Sequence, residues 1–209
     1  MTTLLIVGAG GHGRVVADAA LTMSLWRSVC FVDDAAAPLS VLGFPVVGRS
    51  ADLERLASSY KAVVIGIGEA SARLKLLERC AALGYELPVV VHASASISRF
   101  ASIGRGSVVF AQAAVNVGTA LGQGCIVNTG ATVDHDCELE EGVHVCPGVH
   151  LAGSVRIAAR SWIGIGSAVR QGIRIGSDVT VGAGAAVVSD IESSVTVMGV
   201  PARTKRGDR

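Results

Sequence analysis

The chain has 209 residues, half of them hydrophobic and 4% aromatic, with 26 glycines and a formal net charge of +1. That near-neutral balance argues against nucleic acid or an anionic membrane surface as partner, and no uncharged apolar run reaches the roughly 18 residues of a transmembrane helix. Cys30, Cys80, Cys125, Cys137 and Cys146 show no CxxC spacing and the N-terminus has no basic region of the kind that opens a signal peptide, so a cytoplasmic protein with reduced thiols in its core is expected.

Residues 4–7, Leu-Leu-Ile-Val, are a continuous apolar run, as expected of a buried parallel strand. A glycine-rich turn follows, and Gly8, Gly10 and Gly13 fit G-x-G-x-x-G. Residues 14–23 read as a helix with Val15, Val16, Ala19 and Ala20 on one face. A second strand over 28–32 ends in Asp33 and Asp34. A short strand at 46–48, a helix over 51–59, a buried strand over 61–67 ending in Gly68 and Glu69, a helix over 70–83 and a last strand over 87–91 complete the first part. Strand and helix alternate, so residues 1–92 are expected to form a small α/β domain with a Rossmann-like parallel sheet.

From Ile97 to Val187 the pattern changes. Ile97, Ile103, Val109, Val115, Leu121, Val127, Val133, Leu139, Val145, Leu151, Ile157, Ile163, Val169, Ile175, Val181 and Val187 recur at every sixth position without exception. A short fixed period means a solenoid of stacked units. Six is a multiple of the strand period of two and far from a multiple of 3.6, so the units are extended. Four residues after each mark the chain is often small, as at Ala101, Ser107, Ala113, Cys125 and Ala131, which suits a narrow prism. Residues 93–209 are therefore expected to be a parallel β-helix with a C-terminal cap and a basic tail, Arg203 to Arg209.

The sixfold run resembles the hexapeptide-repeat acyltransferases, and the segment Gly199-Val200-Pro201-Ala202 is similar to the Gly-Asn-Pro-Ala segment of many of them. The resemblance implies a left-handed parallel β-helix of triangular section with three hexads per coil, the opposite hand to ordinary parallel crossovers. With the α/β domain in front, the whole chain resembles the sialic acid O-acetyltransferase family, which includes enzymes that acetylate nucleotide-linked amino sugars.

On its motif the Gly loop reads as NAD-binding, with a carboxylate about twenty residues on for ribose hydroxyls. Some ninety residues are too few for the two mononucleotide halves of a dinucleotide fold, and one half suits one nucleotide. The resemblance implies that this domain holds the nucleotide of a sugar substrate, through Gly10, Gly11 and His12, Asp33 and Asp34, and Gly68 and Glu69.

Three of the five histidines lie in the solenoid: His135, His144 and His150. Acetyl transfer to an amine needs a base near neutral pH, which a neutral imidazole supplies. The segment around Asp134-His135-Asp136 resembles the family's active-site coil, which implies His135 as general base and Asp136 as its partner. Neighbours on a strand point apart, so the two meet only at a corner, and Asp134 is an alternative partner. With three hexads per coil, Val117, His135, Gly153 and Gln171 form one column, and Gly153 leaves room beside the ring. The resemblance implies acetyl-CoA as co-substrate, with His144 near the thioester and backbone groups near Ile165 and Ala183 along the pantetheine arm. Some relatives have Gly at the position of Ala183. It also implies a homotrimer with sites at its subunit interfaces, and no metal is expected.

Arg203, Lys205 and Arg206 suit the CoA phosphates or solvent. Three other readings stand beside an N-acetyltransferase: O-acetylation of a sialic acid or related sugar, a zinc-dependent carbonic anhydrase using His135, His144 and His150, and a non-catalytic scaffold.

Overall fold

The computed structural model describes residues 2–35 and 39–205, so Arg206 lies outside the described residues. The N-terminal unit runs β1 (Thr2–Val7), α1 (Gly11–Thr22), β2 (Trp26–Val32), β3 (Ser40–Val41), β4 (Phe44–Gly48), α2 (Leu53–Leu56), β5 (Ala62–Ile65) and α3 (Ala70–Ala82). The sheet order is β3-β4-β2-β1-β5, parallel except for the β3–β4 hairpin. Strand alternation divides β1 between two cores. Leu4 and Ile6 pack with Val16 and Ala20 of α1, while Leu5 and Val7 pack with Leu53, Leu77 and Cys80 on the other side.

Several boundaries differ from the sequence pattern. Helix α1 starts at Gly11, inside the loop, and encloses Gly13, where a Cβ would overlap the carbonyl oxygen of Gly8. The expected helix over 51–59 is a 3₁₀ turn at Ser50–Asp52 and one α-turn. The β3–β4 hairpin turns through Leu42 and Gly43, both at positive φ. Of residues 87–91 only Val90–Val91, β6, is a strand. It pairs with Val108–Val109, as the first rung of the solenoid and not as a strand of the N-terminal sheet.

From β7 (Ser96–Ile97) to β22 (Ala186–Val187) the chain makes sixteen two-residue strands, and the second residue of each is the sixfold aliphatic. Val115 pairs with Ile97 below and Val133 above, a register of eighteen, so three hexads close one coil. The result is a left-handed parallel β-helix of three sheets. From Val109 to Val187 every marked aliphatic is buried. Ile97 and Ile103 are half-buried, because no coil stacks beneath them. Burying each such side chain contributes about 1.5–3 kcal/mol. Buried hydroxyls at the small positions tie coil to coil: Ser107 Oγ donates to the Gly122 carbonyl (2.9 Å) and Ser161 Oγ to that of Gly176 (2.6 Å). All five cysteines are free and buried.

The first face carries Ile97, Val115, Val133 and their successors, the second Ile103, Leu121 and Leu139, the third Val109, Val127 and Val145. Every sixth residue from Gly106 to Gly184 turns a corner at positive φ. Where that residue is not glycine it is Gln112, Asp136, Ser154, Arg160 or Asp178.

The N-terminal unit sits on the third face. Outward-pointing Val90, Val108 and Ile126, with Phe110, share one buried cluster with α1 and the sheet. Helix α3 runs along the corner between the second and third faces. Leu77 lies against Gly106 and Gly124, Leu74 against Gly124 and Gly142, and Ala70 against Gly142. Past the helix start the corner continues as Arg160 and Asp178, joined by a two-point ion pair (2.8 and 2.6 Å). The C-terminal strands Thr196–Met198 and Arg203–Thr204 close the third sheet. No helix among the described residues is long and apolar enough to cross a membrane.

Candidate active site

The Gly loop opens a cavity of about 350 Å³, lined by Gly10, Gly11 and His12 with Asp33, Asp34 and Ser50 facing them. Gly8 and Gly13 are there for close packing, since a Cβ on either would meet backbone. Gly10 and Gly11 face open space, where a Cβ would meet nothing within 4 Å. Gly10 is the N-cap of α1 and offers no side chain, so the first helical N–H groups are left for an anion. The two carboxylates also hold the cavity's shape. Asp33 accepts from the amides of Ala9 (2.6 Å) and Ala35 (2.8 Å), and Asp34 from the amide (2.7 Å) and hydroxyl (2.6 Å) of Ser50. Those Ser50 bonds hold the Asp34 carboxyl below its ordinary value.

A second cavity, of about 460 Å³, lies between the N-terminal unit and the third face. Gly68, Glu69 and Ala70 form one wall, and His144, Arg160, Trp162 and Thr180 the other. Glu69 caps α3, accepting from the amides of Ser71 (2.8 Å) and Ala72 (2.6 Å), which lower its pKa. His12 and His144 sit side by side between the two cavities, ring centroids 6.1 Å apart, with Phe110 edge-on to His12 and Trp162 edge-on to His144. Asn128 Nδ2 lies 3.2 Å from His144 Nε2, while His12 Nε2 and His144 Nδ1 are buried without a hydrogen-bond partner among the described residues. Burial, and then the charge of Arg73, push His12 down to about 4 and His144 to about 3, so both are neutral at physiological pH.

His135 and Asp136 lie elsewhere, on the corner between the first and second faces. Asp136 is the corner residue, at φ 57°, and that turn lets neighbours in sequence face each other: His135 Nδ1 is 2.9 Å from Asp136 Oδ2. Asp134 is occupied, accepting from Asn116 Nδ2 (2.9 Å) and the His135 amide (2.8 Å). The bond to Asp136 raises the pKa of His135, aided by the charges of Asp134 and Asp136. The imidazole rests in the space left by Gly153 of the next coil, where a Cβ would overlap the ring, and a Cβ on Gly118 would meet the Asp136 carboxylate. Ile165 and Ala183 stack at the third corner. Their N–H groups donate to no backbone carbonyl among the described residues, while the Ile165 carbonyl accepts from Gly184 (2.8 Å). His150 lies on the first face, 2.9 Å from Thr132 Oγ1, so His135, His144 and His150 stand on three different parts of the prism.

The structure thus gathers Gly10, Gly11, His12, Asp33 and Asp34 at one cavity and Gly68, Glu69 and His144 at the next. His135 with Asp136, and Ile165 with Ala183, stand at separate corners. Sequence reasoning did not single out Trp162, Arg160, Thr180, Asn128 or Ser50. A signal for the covered face was present: the residues preceding the marks are apolar at Val90, Val108 and Ile126, where other faces carry Ser102, Ala120 or Glu138.

A nucleotide-type loop fused to a hexapeptide prism with a histidine–carboxylate corner defines a sugar acyltransferase of the left-handed β-helix class. Residues 3–80 match the PglD N-terminal domain. Over 97% of this chain and 98% of the other, the structure superposes with TM-score 0.94 and 45% identity on the acetyltransferase domain of PglB from Neisseria gonorrhoeae in complex with acetyl coenzyme A. Perosamine N-acetyltransferase from Caulobacter crescentus, solved as a histidine-to-asparagine mutant with CoA and GDP-perosamine, is 36% identical (TM-score 0.95, 99% and 98% covered). WeeI from Acinetobacter baumannii is 27% identical (TM-score 0.87, 98% and 100% covered). No curated protein sequence matches the chain. The chain belongs to the sugar N-acetyltransferases of the hexapeptide-repeat family.

Proposed function

We propose that the protein transfers acetyl from acetyl-CoA to the amino group of a nucleotide-linked amino sugar, with residues 1–92 holding the nucleotide and residues 93–209 carrying out the transfer. The observation that carries this reading is the His135–Asp136 contact at 2.9 Å, set against Gly153. Asp136 fixes the hydrogen of the ring on Nδ1 and leaves Nε2 to accept a proton. As the sugar nitrogen bonds to the thioester carbon, its proton passes to His135 Nε2. The carbon–sulfur bond then breaks and the proton goes to the departing CoA sulfur. The nucleotide diphosphate meets the free N–H groups at the start of α1. The relatives solved with CoA and with GDP-perosamine support both substrates.

The CoA arm runs along the corner at Ile165 and Ala183. Its column of Gly148, Gly166 and Gly184 supports this, since a Cβ there would meet nothing within 4 Å. His135 stands on the corner opposite the third face, which carries the N-terminal unit and shares the second cavity with it. A single prism therefore keeps the base away from the nucleotide loop, and we infer a homotrimer in which a neighbour's His135 corner completes each site.

The test is CoA-thiol release with acetyl-CoA and a panel of UDP-, GDP-, dTDP- and CMP-linked amino sugars, with sialic acid alongside. Turnover of a nucleotide amino sugar is expected, with His135→Asn lowering kcat by about 10²–10⁴-fold and leaving CoA affinity unchanged. Turnover of sialic acid alone, or a fully active His135→Asn, would overturn the reading.

A further inference from the structure

Arg73 of α3 is 1% exposed, and no carboxylate among the described residues is bonded to it. Its guanidinium is held entirely by backbone carbonyls. Nε donates to Gly124 (2.7 Å), Nη1 to Ile67 (3.0 Å) and Gly68 (2.6 Å), and Nη2 to Gly142 (2.7 Å). Four of its five N–H groups are thereby used.

Burying an unpaired cation is costly, and docking the helix does not require it. Leu74 and Leu77 already fill the glycine corner on either side. What the guanidinium adds is a rigid link between three backbone segments: the loop before α3 and the corners of two successive coils. Gly68, Glu69 and Ala70 are one wall of the second cavity, and prism residues His144, Arg160, Trp162 and Thr180 are the other. The first cavity, by contrast, is built by the N-terminal unit alone.

We propose that Arg73 is a positioning residue: it sets the spacing between the two walls of the second cavity, and so the placement of the sugar end of the substrate, without touching substrate itself. The proposal rests on the function proposed above. The charge of Arg73 also bears on His144, in the prism wall of that cavity, and on His12 beside it.

The test compares Arg73→Lys and Arg73→Gln with Leu74→Ala, a packing loss at the same corner. In the arginine variants kcat should fall by about 100-fold, the scale of an ångström's misplacement, while calorimetric affinity for the free nucleoside diphosphate stays within about twofold, because the first cavity is untouched. Amide hydrogen exchange over residues 66–72 should accelerate in the arginine variants. Leu74→Ala should lower the melting temperature at least as much and keep kcat within a few-fold. Equal kcat losses at equal loss of stability, or unchanged exchange over 66–72, would reduce Arg73 to a structural residue. Should the parent turn over no nucleotide amino sugar, the proposed function fails, and the exchange measurement still decides whether Arg73 holds the wall.

Discussion

The prism turns a corner at Gly106, Gly124 and Gly142, and another at Gly118 and Asp136, with the same left-handed backbone at each. At the first the missing side chains make room for Leu77 and Leu74 of α3. At the second, no described residue of the N-terminal unit lies against Gly118, and one glycine gives way to an aspartate at φ 57°, a conformation that Asp tolerates at modest cost. The repeat fixes the backbone, and what lies on each corner decides the residue. At Gly106, Gly124 and Gly142 glycine leaves room for another element, at Asp136 a polar residue in the same conformation turns its carboxylate to His135, and at Gly148, Gly166 and Gly184 the corner stays open.

The largest effect that would probe this contrast is expected at the polar corner. Gly153→Ala pushes a methyl into the His135 ring and Gly118→Ala one into the Asp136 carboxylate. Each should lower kcat by about 100-fold with CoA affinity unchanged in steady-state and calorimetric measurements. Parental kcat in both would separate these glycines from the histidine pair. At the covered corner the cost should fall on stability. Gly106→Ala, at φ 68° and against Leu77, should lose about 1–3 kcal/mol in urea denaturation and leave the kcat of folded enzyme near parental.

A smaller effect concerns pH. The Asp136 bond raises the pKa of His135, so protonation stabilises the fold below the ordinary histidine value, and that contribution is lost as pH rises through the raised one. Activity runs the other way, because the base must be neutral. The acid limb of kcat/KM should lie above pH 6.5, and in Asp136→Asn it should move to lower pH, along with a lower plateau. A limb that stays in place would show that Asp136 does not tune the ring. The smallest effect is expected for Arg160→Ala. Its ion pair with Asp178 is exposed to solvent and screened, so the melting temperature should stay within experimental error. A shift of several degrees would mean that this part of the corner is covered after all.

The prism was legible down to its register, because an unbroken period of six leaves only one set of residues to face inward. The column of His135 and Gly153 followed from the same count. Which aspartate meets the ring was not legible. Positive φ at a non-glycine residue leaves no mark in composition, and only the corner at Asp136 turns the two side chains together. Nor did the period say which face the N-terminal unit covers, so Trp162 and Arg160 went unnoticed as cavity walls. Val90 read as the end of an α/β strand because an apolar run of that length suits either sheet, and its partner, Val108, belongs to the solenoid.

Helix α3 and the corner it follows are two rulers with different graduations. A helical turn advances about 5.4 Å, while stacked coils advance about 4.8 Å. From Leu77 through Leu74 to Ala70 the side chains keep step with Gly106, Gly124 and Gly142. Each coil adds a slip of roughly 0.6 Å, small enough for the contacts to run across three coils. The helix begins at Ala70, capped by the Glu69 carboxylate. The N-terminal unit therefore meets this corner over three coils, and on the next two the corner is closed by the Arg160–Asp178 pair instead.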